Sequence, residues 1–203
     1  MEVENASEVF KSVQGWDKNR LTACVSSQVG CAMKCTFCAT GMQGYKRNLT
    51  PAEITAQVIE LEELYGKRVS QVVFMGMGEP MLNIKSVVQA IRCLNEDVGI
   101  GGRHITVSTV GIPNSLKKLA KEKLAITLAI SLHAPDQHTR EKIVPSAKYY
   151  PMEDLLNDAR AYFKETGRRV TFEYTLLAGV NDSPSQAKVL SRMLKRKFGT
   201  GAH

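Results

Sequence analysis

The sequence predicts a single α/β domain built around a parallel β-sheet, and three observations support this. Short runs rich in valine, isoleucine, threonine and leucine alternate with longer amphipathic stretches, which is typical of repeated strand-helix units. The 203 residues are 43% hydrophobic and 23% charged, as in one globular domain. The sequence contains no solenoid repeat, low-complexity tract or Pro/Gly-rich linker that would divide it.

Five segments are predicted to be the strands of this sheet. Most are rich in β-branched residues or leucine and are suited to burial on both faces. They are Leu21–Ser27, Gln71–Met75, His104–Ser108, Leu124–Ser131 and Arg169–Leu177. Because each is followed by a helix candidate, we expect neighbouring strands to run parallel.

Three helices have clear sequence signals. The first begins at Thr50-Pro51-Ala52-Glu53, where threonine can cap, proline fits the first helical position and glutamate can reach back to the cap. An apolar stripe follows over residues 54–64, and a second stripe over residues 84–91 predicts a helix between strands two and three. The last helix begins at a similar capping signal, Ser183-Pro184-Ser185-Gln186.

Charge and cysteine content limit the class of protein. The formal net charge of +7 at pH 7 favours an anionic partner. No apolar run is long enough to cross a membrane, and the acidic opening Met1–Asn5 resembles neither a secretory signal nor a transit peptide. We therefore expect a cytoplasmic protein, with an organelle such as a plastid as the alternative if a transit peptide is missing. Four of five cysteines lie between Cys24 and Cys38, which favours a metal or redox site over a disulfide framework.

The cysteine cluster itself indicates a metal centre. Cys31, Cys35 and Cys38 place three thiols within eight residues, close enough to converge from one loop. A structural zinc site normally takes four ligands, and no second Cys/His pair at zinc spacing follows. Three cysteines can instead hold a [4Fe-4S] cluster with one iron left open. Zinc remains the alternative.

The C-x3-C-x2-C spacing, with Phe37 just before the third cysteine, resembles the radical S-adenosylmethionine (radical SAM) signature. The surrounding sequence is similar to one branch of that superfamily, the RlmN-type RNA adenine carbon-2 methyltransferases. The resemblance covers roughly Leu21 to Leu194. Its motifs are Cys24-Val25-Ser26-Ser27-Gln28-Val29-Gly30-Cys31, Gly41-Met42-Gln43-Gly44, Asn48-Leu49, Val73-Phe74-Met75-Gly76-Met77-Gly78-Glu79-Pro80, Thr106-Val107-Ser108-Thr109, Ser131-Leu132-His133-Ala134 and Ala178-Gly179-Val180-Asn181-Asp182.

The resemblance implies a fold, two cofactors and their ligands. The fold is a partial parallel (β/α) barrel of radical SAM type that stops before the last strand. Cys31, Cys35 and Cys38 are the implied ligands of a [4Fe-4S] cluster, whose open iron chelates S-adenosylmethionine in this family. One electron from the cluster then splits the sulfonium to give a 5′-deoxyadenosyl radical.

The resemblance also implies cofactor contacts at the ends of three strands. The alternative for each position is a glycine turn, a solvated carboxylate or a capped loop. The implied contacts are Gly78, Glu79, Ser108, Ser131, Leu132 and His133.

Cys24 has two interpretations. From the residues alone it is a buried structural thiol. The resemblance makes it the catalytic cysteine that removes a proton from the methylated carbon and so helps to break the covalent protein-RNA adduct. The implied partners are ribosomal RNA and, for some members, tRNA, together with an electron donor such as a flavodoxin or ferredoxin. We expect a monomer.

The sequence departs from the family in one respect that bears on activity. Family members first methylate a cysteine near their C-terminus, and no cysteine follows Cys93 here. We therefore expect a central catalytic core at residues 21–198, with an N-terminal remnant at 1–20 and a tail at 199–203, and no methyl transfer by these residues alone. Other interpretations are a carbon-8 adenine methyltransferase, a non-catalytic RNA-binding product and a zinc-binding module.

Overall fold

The structure, a computed structural model, describes residues 20–199. Five of its strands form one parallel sheet in the order β1-β4-β5-β6-β7, and two form a separate antiparallel hairpin, β2-β3. The strands are β1 (Leu21–Cys24), β2 (Gln28–Gly30), β3 (Tyr45–Asn48), β4 (Val69–Phe74), β5 (Ile105–Thr109), β6 (Thr127–Ser131) and β7 (Val170–Glu173).

Helices connect the strands of the parallel sheet, and one more helix follows the last strand. They are α1 (Pro51–Tyr65), α2 (Ile84–Glu96), α3 (Ser115–Lys121), α4 (Gln137–Ile143), α5 (Met152–Thr166) and α6 (Pro184–Phe198). Both predicted capping boxes are present: Thr50 caps α1 and Ser183 caps α6, each accepting from the backbone N–H three residues later. Within the described range, no helix is long and apolar enough to cross a membrane.

The core explains why the sheet is parallel and central. Strand side chains such as Val72, Ile105 and Leu128 have no exposed surface, and helix residues such as Ile54 and Leu155 are equally buried. Burial of apolar residues from both kinds of element fixes the helices against the sheet. Because the five strands run parallel, their carboxyl ends meet along one edge of the sheet.

The sequence predicted the architecture correctly. All five predicted strands lie in the parallel sheet, whose outer strands β1 and β7 do not pair with each other, as in an open part of a barrel. Three strands are shorter than predicted: β1 ends at Cys24, β6 begins at Thr127 and β7 ends at Glu173. The first ends early because the chain turns after Cys24 and Ser27 N–H donates to the carbonyl of Met77. The β2-β3 hairpin was not predicted. Apart from Arg20 and Gly199, the predicted N-terminal remnant and tail lie outside the described residues.

Candidate metal and cofactor site

A cavity of about 260 Å³ lies at the carboxyl edge of the parallel sheet. We call it the cysteine cavity. It is lined by all three clustered thiols and by most of the strand-end residues that the resemblance implied. Those residues are Cys31, Cys35, Cys38, Gly78, Glu79, Ser108, Ser131 and His133. Side chains that are far apart in the sequence therefore converge on one space.

The β2-β3 hairpin holds the loop that carries the three cysteines. Cys31 follows β2 directly, and its N–H donates to the carbonyl of Gly44 just before β3 (3.0 Å). Gly30 has φ +74°, and a Cβ there would lie 1.8 Å from the same carbonyl oxygen. Only glycine fits this close approach of two backbones, so the base of the cysteine loop is fixed by backbone contact.

The cysteine loop packs against α4. Thr36 N–H donates to the carbonyl of Ile143 at the end of that helix (3.0 Å), and Cys35 lies in a small apolar cluster with Ile143. The ring of Phe37 packs edge-to-face on His133, with ring centroids 4.8 Å apart. The aromatic residue of the cysteine motif therefore joins the loop to the strand-end residues.

The chemistry of the donor set fits an iron-sulfur cluster. Burial raises the pKa of Cys31, and burial with the neighbouring Cys31 and Cys38 raises the pKa of Cys35 to about 12. Buried thiols of this kind become ligands when a cationic group displaces their protons. Among residues 20–199, no three His, Cys, Asp or Glu side chains are placed to hold a metal ion. Three thiols that line one cavity suit a larger group with soft iron centres.

Gly78 brings the segment after β4 against the hairpin. Its φ is +106°, and a Cβ at this position would lie 2.6 Å from Cβ of Gln28. Gln28 is buried, and its Oε1 accepts from Glu79 N–H (2.9 Å) while its Nε2 donates to Asn48 Oδ1 (2.7 Å). A side chain on Gly78 would separate the hairpin from the sheet.

Glu79 is fully buried, and its carboxylate accepts three hydrogen bonds from the protein. The donors are the Thr109 hydroxyl (2.6 Å), Val110 N–H (2.9 Å) and Met81 N–H (2.9 Å). Burial raises the pKa of Glu79, although these donors act in the opposite direction. The carboxylate therefore joins the end of β4 to the end of β5 as well as lining the cavity.

Ser108 and Ser131 share a third residue, Glu173, that the sequence analysis did not single out. Oε2 of Glu173 accepts from the hydroxyls of Ser108 (2.8 Å) and Ser131 (3.1 Å), and the two hydroxyl oxygens lie 3.1 Å apart. Glu173 ends β7 and lines the cysteine cavity. The predicted strand Arg169–Leu177 has Glu173 at its middle, so the sequence did not mark this carboxylate as a strand-end residue.

His133 is held in one protonation state. Burial lowers its pKa to about 4, and the positive charge of Arg140 adds to this effect. Its Nδ1 accepts from Thr175 N–H (3.0 Å), so the neutral ring carries its proton on Nε2. The φ of His133 is +56°, and Asn181 fixes the backbone there by donating to its carbonyl (2.7 Å).

Leu132 differs from the other implied cofactor contacts. Its side chain is completely buried in the main core, and it is not among the residues that line the cysteine cavity. Its N–H donates to the carbonyl of Glu173 and its carbonyl accepts from Arg140 Nε. The side chain of Leu132 therefore packs in the core between Ser131 and His133, and its contact with the cofactor stays a prediction.

Cys24 lies outside the cysteine cavity. It is exposed at the end of β1 and lines a groove of about 490 Å³ with Glu53, Gln57 and Glu60 of α1. We call this the Cys24 groove. Partial burial raises the pKa of Cys24 against a hydrogen bond from the backbone of Met75. The structure therefore separates Cys24 from the three clustered thiols.

Comparisons with known proteins agree with this geometry. The profile of the radical SAM superfamily matches residues 25–187. The chain is 58% identical over 188 residues to a protein of Thermosynechococcus vestitus named "Probable dual-specificity RNA methyltransferase RlmN", covering 93% of this chain and 56% of that protein. It spans about half the length of the curated relatives it matches.

Solved structures have the same fold. A radical SAM methyltransferase from Sphaerobacter thermophilus matches with a TM-score of 0.86 and 44% identity, covering 93% of this chain and 56% of that one. SuiB from Streptococcus suis, solved bound to S-adenosylmethionine, is 16% identical with a TM-score of 0.61 over 88% of this chain and 38% of its own. The second likeness concerns the fold alone.

Proposed function

The chain belongs to the radical SAM superfamily, and from this we propose that it carries the catalytic core of an RNA methyltransferase acting on carbon 2 of adenine. The superfamily uses a [4Fe-4S] cluster and S-adenosylmethionine, as the sequence predicted. The names of the relatives and the motif resemblance support RNA as the substrate. The observation that carries the proposal is the cysteine cavity, because thiols and polar strand ends line the same space.

Cys31, Cys35 and Cys38 are the proposed ligands of the cluster. When bound, the cluster and S-adenosylmethionine supply the electron and the radical precursor. The chain's own part is to hold the three thiols in the lining of the cavity, which the hairpin base and the packing on α4 achieve. Burial of Cys31 and Cys35 keeps water away from the reactive group.

A second group of lining residues, at the ends of three strands, suits the donor groups of S-adenosylmethionine. Glu173, Ser108 and Ser131 place three acceptor-bearing side chains together, and both serine protons are directed at Glu173. The serine lone pairs therefore remain for a ligand. S-adenosylmethionine offers ribose hydroxyls, an ammonium group and a sulfonium charge, so we assign these residues to cofactor binding.

Gly78, Glu79 and His133 complete the proposed cofactor site. Gly78 has no side chain to occupy the space, and Glu79 adds a second carboxylate beside it. His133 contributes a donor at Nε2 because its Nδ1 is already used by Thr175. A cavity with both acceptors and a fixed donor can orient an amino acid and a nucleoside.

We assign Cys24 to the step after carbon-carbon bond formation, when a proton leaves the methylated carbon. The exposed position of Cys24 leaves it accessible to a large substrate. Because burial raises its pKa, the substrate or a neighbouring base must assist its deprotonation. The groove also carries the carboxylates Glu53 and Glu60, although Glu53 is paired with Arg47.

Ribosomal RNA, with tRNA as a second substrate, is the proposed partner. The net charge of +7 favours a polyanion, and Tyr45 and Lys46 are exposed on β3 next to the cysteine loop. We propose that an electron donor of the flavodoxin or ferredoxin type reduces the cluster. A cytoplasmic monomer remains our expectation.

Anaerobic reconstitution with iron and sulfide tests the core of the proposal. We expect a [4Fe-4S] EPR signal that changes when S-adenosylmethionine is added, together with cofactor cleavage to 5′-deoxyadenosine. A Cys93→Ala variant is the matched control, because Cys93 lies on α2 away from the cavity. Zinc without iron or sulfide would overturn the assignment.

Analysis of the RNA product tests the regiochemistry. In the family scheme a cysteine near the C-terminus carries the methyl group, and no cysteine follows Cys93 in these 203 residues. We therefore expect cofactor cleavage without methylated adenosine from them alone. Carbon-2-methyladenosine, identified by mass spectrometry and NMR, would contradict that expectation, and carbon-8-methyladenosine would move the chain to the sibling class.

A further inference from the structure

Arg140 is a buried cation that the proposed mechanism does not use. It lies on α4, and only 1% of its surface is exposed. Arginine is almost never buried to this extent without a partner of opposite charge. The burial of this positive charge therefore needs a structural or functional reason.

The hydrogen-bond partners of Arg140 are all neutral. Nη2 donates to the carbonyl of Val110 (2.6 Å) and more weakly to that of Ser131 (3.4 Å), while Nε donates to the carbonyl of Leu132 (3.2 Å). Across residues 20–199, no carboxylate lies within ion-pair distance of this guanidinium. The carbonyls fix its position and leave its positive charge uncompensated.

Arg140 lies beside the cysteine cavity, because Val110 and Ser131, whose carbonyls accept from it, both line that cavity. The cysteine loop would bring negative charge to this region when it holds the proposed cluster. Arg140 interacts electrostatically with Cys35, and that loop packs on the same helix through the Thr36–Ile143 hydrogen bond. The guanidinium keeps its positive charge at neutral pH, because arginine is not deprotonated in proteins. A fixed cation therefore lies next to a proposed cluster ligand, in a region from which water is excluded.

We propose that Arg140 is the built-in counter-charge of the iron-sulfur cluster and raises its midpoint reduction potential. This inference rests on the proposed function. Reduction adds one negative charge to the cluster, and a nearby buried cation stabilises the more negative state. Arg140 is thus a positioning residue with an electrostatic role, because it makes the reduced form easier to reach.

The competing explanation is that Arg140 only ties the ends of β5 and β6 to α4 through carbonyl hydrogen bonds. Four variants separate the two. Arg140→Gln and Arg140→Met both remove the charge, but only glutamine keeps N–H donors, whereas Arg140→Lys keeps the charge. Lys142→Gln makes the same change of charge at an exposed position two residues along α4.

The experiment is an EPR-monitored redox titration of the anaerobically reconstituted protein, with iron and sulfide content and thermal stability measured alongside. We expect Arg140→Gln and Arg140→Met to shift the midpoint potential in the negative direction by similar amounts. Arg140→Lys should remain nearer the wild-type value, and Lys142→Gln should coincide with wild type because solvent screens its charge. If both neutral variants lose the cluster while Arg140→Lys retains it, this would also support a role for the positive charge of Arg140.

Three results would overturn the inference. Neutral variants with the wild-type potential would leave only the tying role, whatever their stability. An equal shift in Lys142→Gln would show a general effect of net charge. Loss of the cluster from Arg140→Lys as well would show that the shape of the guanidinium matters rather than its charge. If the wild-type protein takes up no iron, the proposed function fails first and this inference fails with it.

Discussion

The cysteine cavity and the Cys24 groove both contain cysteine, yet they are built in different ways. Cys24 and Cys31 are seven positions apart in the sequence. Around the cavity, polar groups are fixed by hydrogen bonds that join the ends of different strands, as the buried Glu79 and the half-buried Glu173 do. The groove has an exposed thiol beside one face of α1. A small reactive cofactor needs the first arrangement, and a large substrate needs the second.

The largest effect that would separate the two regions is loss of the metal. Cys35→Ala should reduce bound iron and acid-labile sulfide to background after reconstitution, because two thiols cannot hold the cluster. Cys24→Ala should retain the wild-type content, which colorimetric iron and sulfide assays measure. Equal iron in the two variants would erase the distinction between cavity and groove.

The next effect is on stability without any cofactor. Glu79→Ala leaves the Thr109 hydroxyl and two backbone N–H groups buried without their acceptor, which we expect to cost about 2–4 kcal/mol. Glu60→Ala removes a carboxylate from the exposed Cys24 groove and should change stability by less than about 0.5 kcal/mol. Urea unfolding of the iron-free variants checks both values. If the two variants lost similar amounts of unfolding free energy, the side chains of the groove would be as strongly bonded to their surroundings as those of the cavity.

The third effect is on how the free energy of unfolding depends on pH. His133 has a pKa of about 4 in the folded protein and an ordinary value near 6.5 when unfolded. Between these values the unfolded chain binds a proton that the folded chain does not, so stability falls as pH drops from about 6.5 to 4. We expect His133 to contribute on the order of 2 kcal/mol to this loss.

Iron-free His133→Asn should show a flatter dependence of unfolding free energy on pH in that range. Asparagine suits the replacement because it tolerates the positive φ at this position. His138→Asn, on the exposed face of α4, should keep the wild-type slope. An unchanged slope in His133→Asn would exclude His133 as the source of acid sensitivity.

The smallest effect is on the binding of S-adenosylmethionine by Glu173, Ser108 and Ser131. Glu173→Ala should weaken S-adenosylmethionine binding about tenfold, since it removes a charged acceptor and frees both serine protons. Glu173→Gln should lose less, and Glu60→Ala in the groove should bind as wild type does. Anaerobic equilibrium dialysis of the reconstituted proteins measures this. Unchanged binding in Glu173→Ala would remove the residue from the cofactor site.

Local sequence patterns predicted the sheet and both capping boxes because the necessary information lies within a few residues. The β2-β3 hairpin escaped prediction because Gln28–Gly30 is only three residues long and β3 is entirely exposed and polar. Its stability depends on contacts such as Gly78 against Gln28, which are fifty positions apart in the sequence. Strand pairing of this kind has no periodic signal.

The functional site likewise contains residues that the sequence revealed and residues that only the structure revealed. The three cysteines and the strand-end residues were found because they belong to motifs with recognisable spacing. Glu173 and Arg140 were missed because charged residues are expected at the surface. Only the folded chain shows that Arg140 is buried and that the half-buried Glu173 accepts hydrogen bonds from the ends of two other strands. The separation of Cys24 from the cavity likewise depended on how β1 meets α1.

The residues that line the cysteine cavity are far apart along the chain, and this has a consequence for the order of folding. The thiols belong to one loop near the start of the described chain, whereas Glu173 ends β7 and Thr175 follows it, near the end of that chain. Bringing them together closes a very long stretch of chain, which is a slow event in parallel sheets. The proposed cluster ligands are therefore synthesised early, and the lining of the cavity is completed only when β7 joins the sheet. Iron delivered before that moment would meet oxygen and water without protection.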